Sequence, residues 1–183
     1  MAAQPDTEAD LPACGYAMHL GVNALALCFG DQLPEKSLTA FRRRVERDCA
    51  KLDVRLDIPK LTELRGNLQK FSLHKHSISR QLRRQSVQLA ACFELGVTLV
   101  ATVFGRDRTL ANGTFDSQFL PALRHDAQAA GVPWAILEEF IDLLRDPRVD
   151  GRKIVGSALP TVAEKIAASL QEHQGYPTDS HAG

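Results

Sequence analysis

The sequence predicts an all-α fold, a single-domain irregular bundle of seven to eight helices, and three observations carry that expectation. Apolar residues recur three and four positions apart along most of the chain, the period of a helix with one buried face. No run of alternating apolar and polar residues is long enough to make a convincing strand. The hydrophobic residues, 44% of the chain, are mostly Leu, Ala and Val, and aromatics reach only 6%, a mix that suits helix packing better than sheets. With 183 residues the chain is long enough to bury a core without disulfide or metal staples.

Each element has its own signals. Residues 13–29 form an apolar helix closed by Gly30 and Asp31. Residues 35–52 place Leu38, Phe41, Val45, Cys49 and Leu52 on one stripe. Residues 59–71 repeat the pattern with Leu61, Leu64, Leu68 and Phe71, opening at Pro59, which a first turn tolerates. Residues 77–104 are the longest helical stretch, and a loop follows at 105–114 with Asn112-Gly113 as its turn. A helix over 117–130 carries Pro121 near its start and ends at Gly131. Another over 133–145 buries Trp134, Leu137, Phe140, Ile141 and Leu144 and stops at Asp146-Pro147. In the last region, 150–173, Pro160 lacks an N–H and is expected to break or kink the helix.

We read no internal repeat and no low-complexity linker, so residues 11–173 are expected to be one domain. Residues 1–10 and 174–183 are expected to be mobile ends. The helices 13–29 and 86–104 are apolar around most of their circumference, which requires neighbours on nearly all sides, so both belong at the centre. Either could be mistaken for a membrane span. Residues 11–30, however, hold Pro12, His19, Asn23 and three glycines, and residues 85–105 carry Glu94, so core helices are the expectation and no membrane is implied.

Cys14, Cys28, Cys49 and Cys92 show no Cys-x-x-Cys spacing, and residues 1–10 are acidic where a secretory signal would be basic. The thiols therefore read as small buried hydrophobes in a reducing, cytoplasmic setting.

Three sets of polar residues are candidate sites. His19 and Asn23 lie one turn apart on the first apolar helix, a possible pocket edge, but two such groups are too few for a metal site. Glu94 interrupts the second apolar helix; a lone buried carboxylate can serve as acid or base. On a helical wheel, however, it joins Arg84, Gln88, Thr98 and Thr102 in one polar strip. His74 and His76 would point away from each other on a helix, so no metal is expected there.

Charge is distributed unevenly. Lys and Arg balance Asp and Glu at 22 each, yet residues 35–84 hold 14 basic against 6 acidic residues, and residues 64–93 contain no acid at all. Arg42 with Glu46 and Arg44 with Asp48 have the spacing of helical ion pairs, whereas nothing local neutralises residues 65–84. Such asymmetry favours an acidic partner, either a protein surface or nucleic acid.

Within that basic stretch, Phe71-Ser72-Leu73 followed by Ser77-Ile78-Ser79-Arg80 and Leu82 resembles the helix-turn-helix unit of bacterial repressors, the lac-type family among them. Ser72 stands where that family usually has Gly, and Leu68 where it has a small residue. The resemblance, over residues 67–84, implies a turn at Phe71–Leu73, a recognition helix from Ser77, and His74, Lys75, His76, Ser79, Arg80 and Arg83 turned outward toward phosphates or base edges. Arg84 extends the same basic face.

No phosphate-cradling Gly-Lys loop, nucleophile elbow or His-Glu-x-x-His run is present, and no cofactor is implied. The leading expectation is a non-enzymatic binding or regulatory domain that meets an acidic partner through residues 65–84. The alternatives are a double-stranded-DNA regulator using residues 67–84, and a small-molecule pocket or enzyme in which His19 and Glu94 converge.

Overall fold

Pro12 opens the first helix, α1 (Ala13–Cys28), whose residues are almost all buried. A computed structural model of the chain describes residues 12–175, and the regular structure among them is helical throughout. A short 3-10 turn (Gly30–Gln32) leads to α2 (Glu35–Leu52), followed by α3 (Ile58–Glu63), α4 (Leu68–Gln85), α5 (Val87–Ala111), α6 (Phe115–Ala130) and α7 (Trp134–Arg145). The chain closes with α8 (Gly151–Lys153), a π-helical turn over Ile154–Ala158, and α9 (Leu159–Gly175). Counting that closing run as one, the described residues form eight helices in an all-α bundle. The end expected to be mobile at 1–10 lies outside the described residues, and of 174–183 only the backbone of 174–175 falls within them.

Three boundaries differ from expectation, each for a local reason. The helix expected over 59–71 stops at Glu63, because Arg65 and Gly66 take the left-handed conformation (φ 48° and 77°). Gly66 then donates its N–H to the Cys28 carbonyl at 2.6 Å, pinning this turn to the end of α1. The helix expected over 77–104 is two helices. Ser86 is extended (φ −162°, ψ 135°) and its hydroxyl accepts the Gln88 N–H, capping α5 afresh. The loop expected at 105–114 is mostly helix, since α5 runs on to Ala111 and buries Arg106 and Thr109. At the end of the chain Pro160 does not break the helix, which runs through it as Leu159–Gly175. It cannot supply an N–H to the preceding turn, and the π-helical turn before it absorbs the misfit.

The two apolar helices are central, as their composition requires. α5 is long and apolar enough to cross a bilayer by length and composition alone; in this fold α1, α4, α6 and α7 pack around it. α1 and α5 run parallel and touch backbone to backbone. A Cβ on Gly21 would lie 2.1 Å from the Phe93 carbonyl oxygen, and a Cβ on Gly96 would lie 2.1 Å from that of Met18. Only glycine permits that approach. Further along both helices Phe29 stacks on Phe104, with ring centroids 4.1 Å apart.

That reciprocity exposes a repeat that we did not read in the sequence. Leu20-Gly21-Val22, Ala26 and Phe29-Gly30 recur in identical spacing as Leu95-Gly96-Val97, Ala101 and Phe104-Gly105. The likeness continues through the next helix of each half. Phe41, Asp48 and Val54 match Phe119, Asp126 and Val132. Asp53 and Gly131 both end their helix in the left-handed region, with the following valine bonded back to Cys49 and Ala127. α1–α4 and α5–α9 therefore repeat one order of helices, as two units that meet reciprocally at the Gly21–Gly96 crossing. Each unit lends its last helix to the other: α4 packs on α5, and α9 packs on α1. The identities are too sparse, and too dependent on knowing which helices face each other, to emerge from periodicity alone.

Candidate functional site

The basic segment forms one uninterrupted helix. Asn67 caps α4 by accepting the Lys70 N–H at 3.1 Å, and Phe71, Ile78 and Leu82 anchor it against the core. Gln81 is bonded both ways to the Arg55 backbone, and Gln85 donates to the Leu52 carbonyl at 2.7 Å, so side chains fix the helix to the loop after α2. No turn exists at Phe71–Leu73. Those residues are helical, and the true turn lies at Leu64–Asn67, so the recognition helix expected to start at Ser77 is the middle of α4.

The outer face of α4 carries Leu73, His76, Arg80 and Arg84, which with Ser77 and Gln81 line a shallow groove of about 550 Å³. His74 and Lys75 are half-buried at its flanks. Among the described residues no carboxylate pairs with Lys70, Lys75, Arg80 or Arg84; Arg83 reaches only Glu94, at 3.9 Å. Leu73 stands in this cationic stripe at 73% exposure.

One member of the expected outward set turns inward. Ser79 is only 5% exposed and its Oγ donates to Glu94 Oε1 at 3.1 Å. Glu94 is thus a polar tie between α5 and α4. Of the polar strip expected to share its face, Thr102 is buried and donates to the Thr98 carbonyl at 2.7 Å, Thr98 is half-buried and donates to Asp126 Oδ2 at 2.5 Å, and Gln88 is exposed and donates to the Ala130 carbonyl at 3.4 Å. Arg84 lies beyond the break at Ser86 and is not part of that strip.

His19 and Glu94 do not converge. They occupy equivalent places in the two units and face different neighbours. His19 and Asn23 line an open cleft of about 320 Å³ between α1, α2 and the closing helical run. Beside that cleft Asn23 donates to Asp48 Oδ2 at 3.3 Å, and Arg47 binds Asp48 Oδ1 through Nη2 (3.0 Å) and Nε (3.1 Å). Asp48 is fully buried, a carboxylate that an amphipathic reading of α2 places on the surface. The partner expected for Asp48 was Arg44; instead Arg47 takes it, and Arg44 lies over the Phe41 ring, 5.6 Å from its centroid. The second unit repeats this arrangement with Thr98 donating to Asp126 and His125 Nδ1 at 3.3 Å from the same carboxylate.

The four cysteines are buried and none forms a disulfide. Burial raises the Cys49 thiol to about 12 and pushes Cys28 up as well, whereas Cys92 is raised first by its hydrogen bond with Cys14. Such thiols are protonated and poor nucleophiles at neutral pH. Among the described residues no three His, Cys, Asp or Glu side chains gather to hold a metal. No family model, curated protein or solved structure matches this chain.

Proposed function

We propose that this protein works by binding rather than by catalysis, as a cytoplasmic regulatory or assembly domain that meets an acidic protein surface through the outer face of α4. The observation that carries this reading is the helix's unneutralised charge: Arg80, Arg84 and Lys70 project from an acid-free helix, and no described carboxylate pairs with them. Such a surface attracts anionic partners and discriminates against cationic ones. Leu73 and Leu68, exposed within and beside the stripe, favour a protein partner, since an apolar anchor ringed by charge suits an amphipathic acidic segment better than phosphates.

Duplex DNA is the second reading. It is favoured by a single feature, an 18-residue helix whose whole outer face is free of acids; a major groove admits a helix of that kind.

Fluorescence titration of the full chain with an acidic amphipathic peptide, and separately with duplex DNA, both at about 50 mM salt, tests the proposal. The peptide is expected to bind, and the R80E/R84E variant to lose that binding while keeping its melting temperature. Leu73→Ser should weaken the peptide complex further than it weakens any DNA complex. Binding to DNA alone, with log affinity falling linearly against log salt, moves the assignment to the second reading. No binding to either probe, or binding that ignores both arginines, overturns the proposal.

A further inference from the structure

The cleft between α1, α2 and the closing run is the counterpart of the place where α4 meets α5 at Glu94, and comparing the two shows why only one is open. In the first unit the fourth helix, α4, is regular. In the second the corresponding run contains one additional residue. Asn67 and Asp150 cap the two runs, and Phe71 and Ile154 are their first buried anchors. Beyond the π-helical turn the register has slipped by one, so that Ile78 and Leu82 correspond to Val162 and Ile166. A π turn is such an insertion, and insertions of this kind recur at functional sites. Here Val155, inside the turn, forms one wall of the cleft.

The substitutions between the two units follow the same logic. Where α4 places Ser79 and Arg83 against Glu94, the closing run places Ala163 and Ala167 opposite His19. The Ser79 hydroxyl and the Arg83 guanidinium reach Glu94 at one position; alanines leave the other open. The open cleft is walled by Val22, Phe41, Leu159, Ala163 and Ala167, with His19 and Asn23 at its α1 side; its charged lining residues are Arg44 and Arg47 on α2, the latter bonded to Asp48, and Glu164 on α9. Arg44, held over Phe41, stands on the α2 lip, and Glu164 stands on the α9 lip. Among the described residues neither meets an opposite charge.

We propose that this cleft binds a small zwitterion with an apolar body, an α-amino acid such as leucine or phenylalanine. Its carboxylate faces Arg44, its ammonium faces Glu164, and its side chain lies against Ala163 and Ala167. An apolar cleft edged by one unpaired cation and one unpaired anion matches a ligand that carries both charges at one end. A simple fatty carboxylate satisfies only Arg44 and leaves Glu164 without a partner. The volume, about 320 Å³, sits at the lower end of the roughly 300–1,000 Å³ range of ligand clefts and suits an occupant of amino-acid size.

Calorimetric titration of the full chain with L-leucine and L-phenylalanine, alongside N-acetyl-L-leucine and L-leucinamide, tests this. Leucine or phenylalanine is expected to saturate one site, and each singly charged analogue of leucine to bind about ten- to a hundredfold more weakly. Arg44→Gln should weaken the free amino acid but have little further effect on the amide. Glu164→Gln should weaken the free amino acid but have little further effect on the acetylated analogue. Both residues are exposed, so circular dichroism should show the same helicity in each variant. No saturable binding at about 10 mM of either amino acid overturns the proposal, as does an acetylated analogue that binds as tightly as leucine.

Discussion

Gly21 and Gly96 set the distance between the central helices, and each occupies the same place against the other's backbone. Gly21→Ala and Gly96→Ala should therefore destabilise the protein to nearly equal extents, by about 3 kcal/mol each, since a Cβ at 2.1 Å from a carbonyl oxygen forces the helices apart. Urea unfolding measures both; a neutral result at either glycine would show that the crossing is looser than described. Arg106 is the other residue on which much depends. It is 2% exposed and donates through Nε to the Leu144 carbonyl at 2.6 Å and through Nη2 to the Asp146 carbonyl, closing the last turn of α7. Arg106→Met keeps the length but leaves the Leu144 carbonyl unpaired and takes from the Asp146 carbonyl one of its two donors, the Val149 N–H remaining, and a loss of about 2 kcal/mol is expected by the same measurement. The thiols add a pH signature. Their folded-state values are raised, so they favour folding below the ordinary thiol value of 9.0 and that contribution is lost as pH climbs toward about 12 for Cys49. Stability should fall over that alkaline window, and alkylation at pH 8 should be slow until the protein unfolds.

At the scale of elements, α4 shows which features the sequence reveals and which it hides. Its amphipathic pattern and its missing acids are both plain in the order of residues, because they depend only on helical period and on counting. Its limits are not. Ser86 ends one helix and starts the next within a stretch that has no Gly or Pro, and Arg65 takes a left-handed conformation that its side chain does not advertise. The inward turn of Ser79 was equally hidden. A serine beside arginines reads as surface until a carboxylate, Glu94, is found to face it from another helix. Substitutions on the outer face of α4 should cost little stability: Arg80→Glu and Arg84→Glu are each expected to stay within about 0.5 kcal/mol of the parent. A larger loss in thermal unfolding would mean that these side chains support the fold.

At the scale of the molecule, periodicity was enough to place two apolar helices at the centre, because a helix without a polar face has nowhere else to go. Their pairing was out of reach, and with it the duplicated plan. Asp48 shows why: on its own helix it looks like one more surface carboxylate, and only the structure sets it beside Asn23, as Asp126 is set beside Thr98. The cleft escaped for the same reason, since it is built from three elements far apart along the chain.

The separate linings of the two surfaces carry one last implication. The cleft is bordered by α1, α2 and the closing run, whereas the arginine-bearing ridge belongs to α4, and the two share no lining residue. Neither surface borrows a side chain from the other, so a substitution made in one should leave the other chemically unaltered.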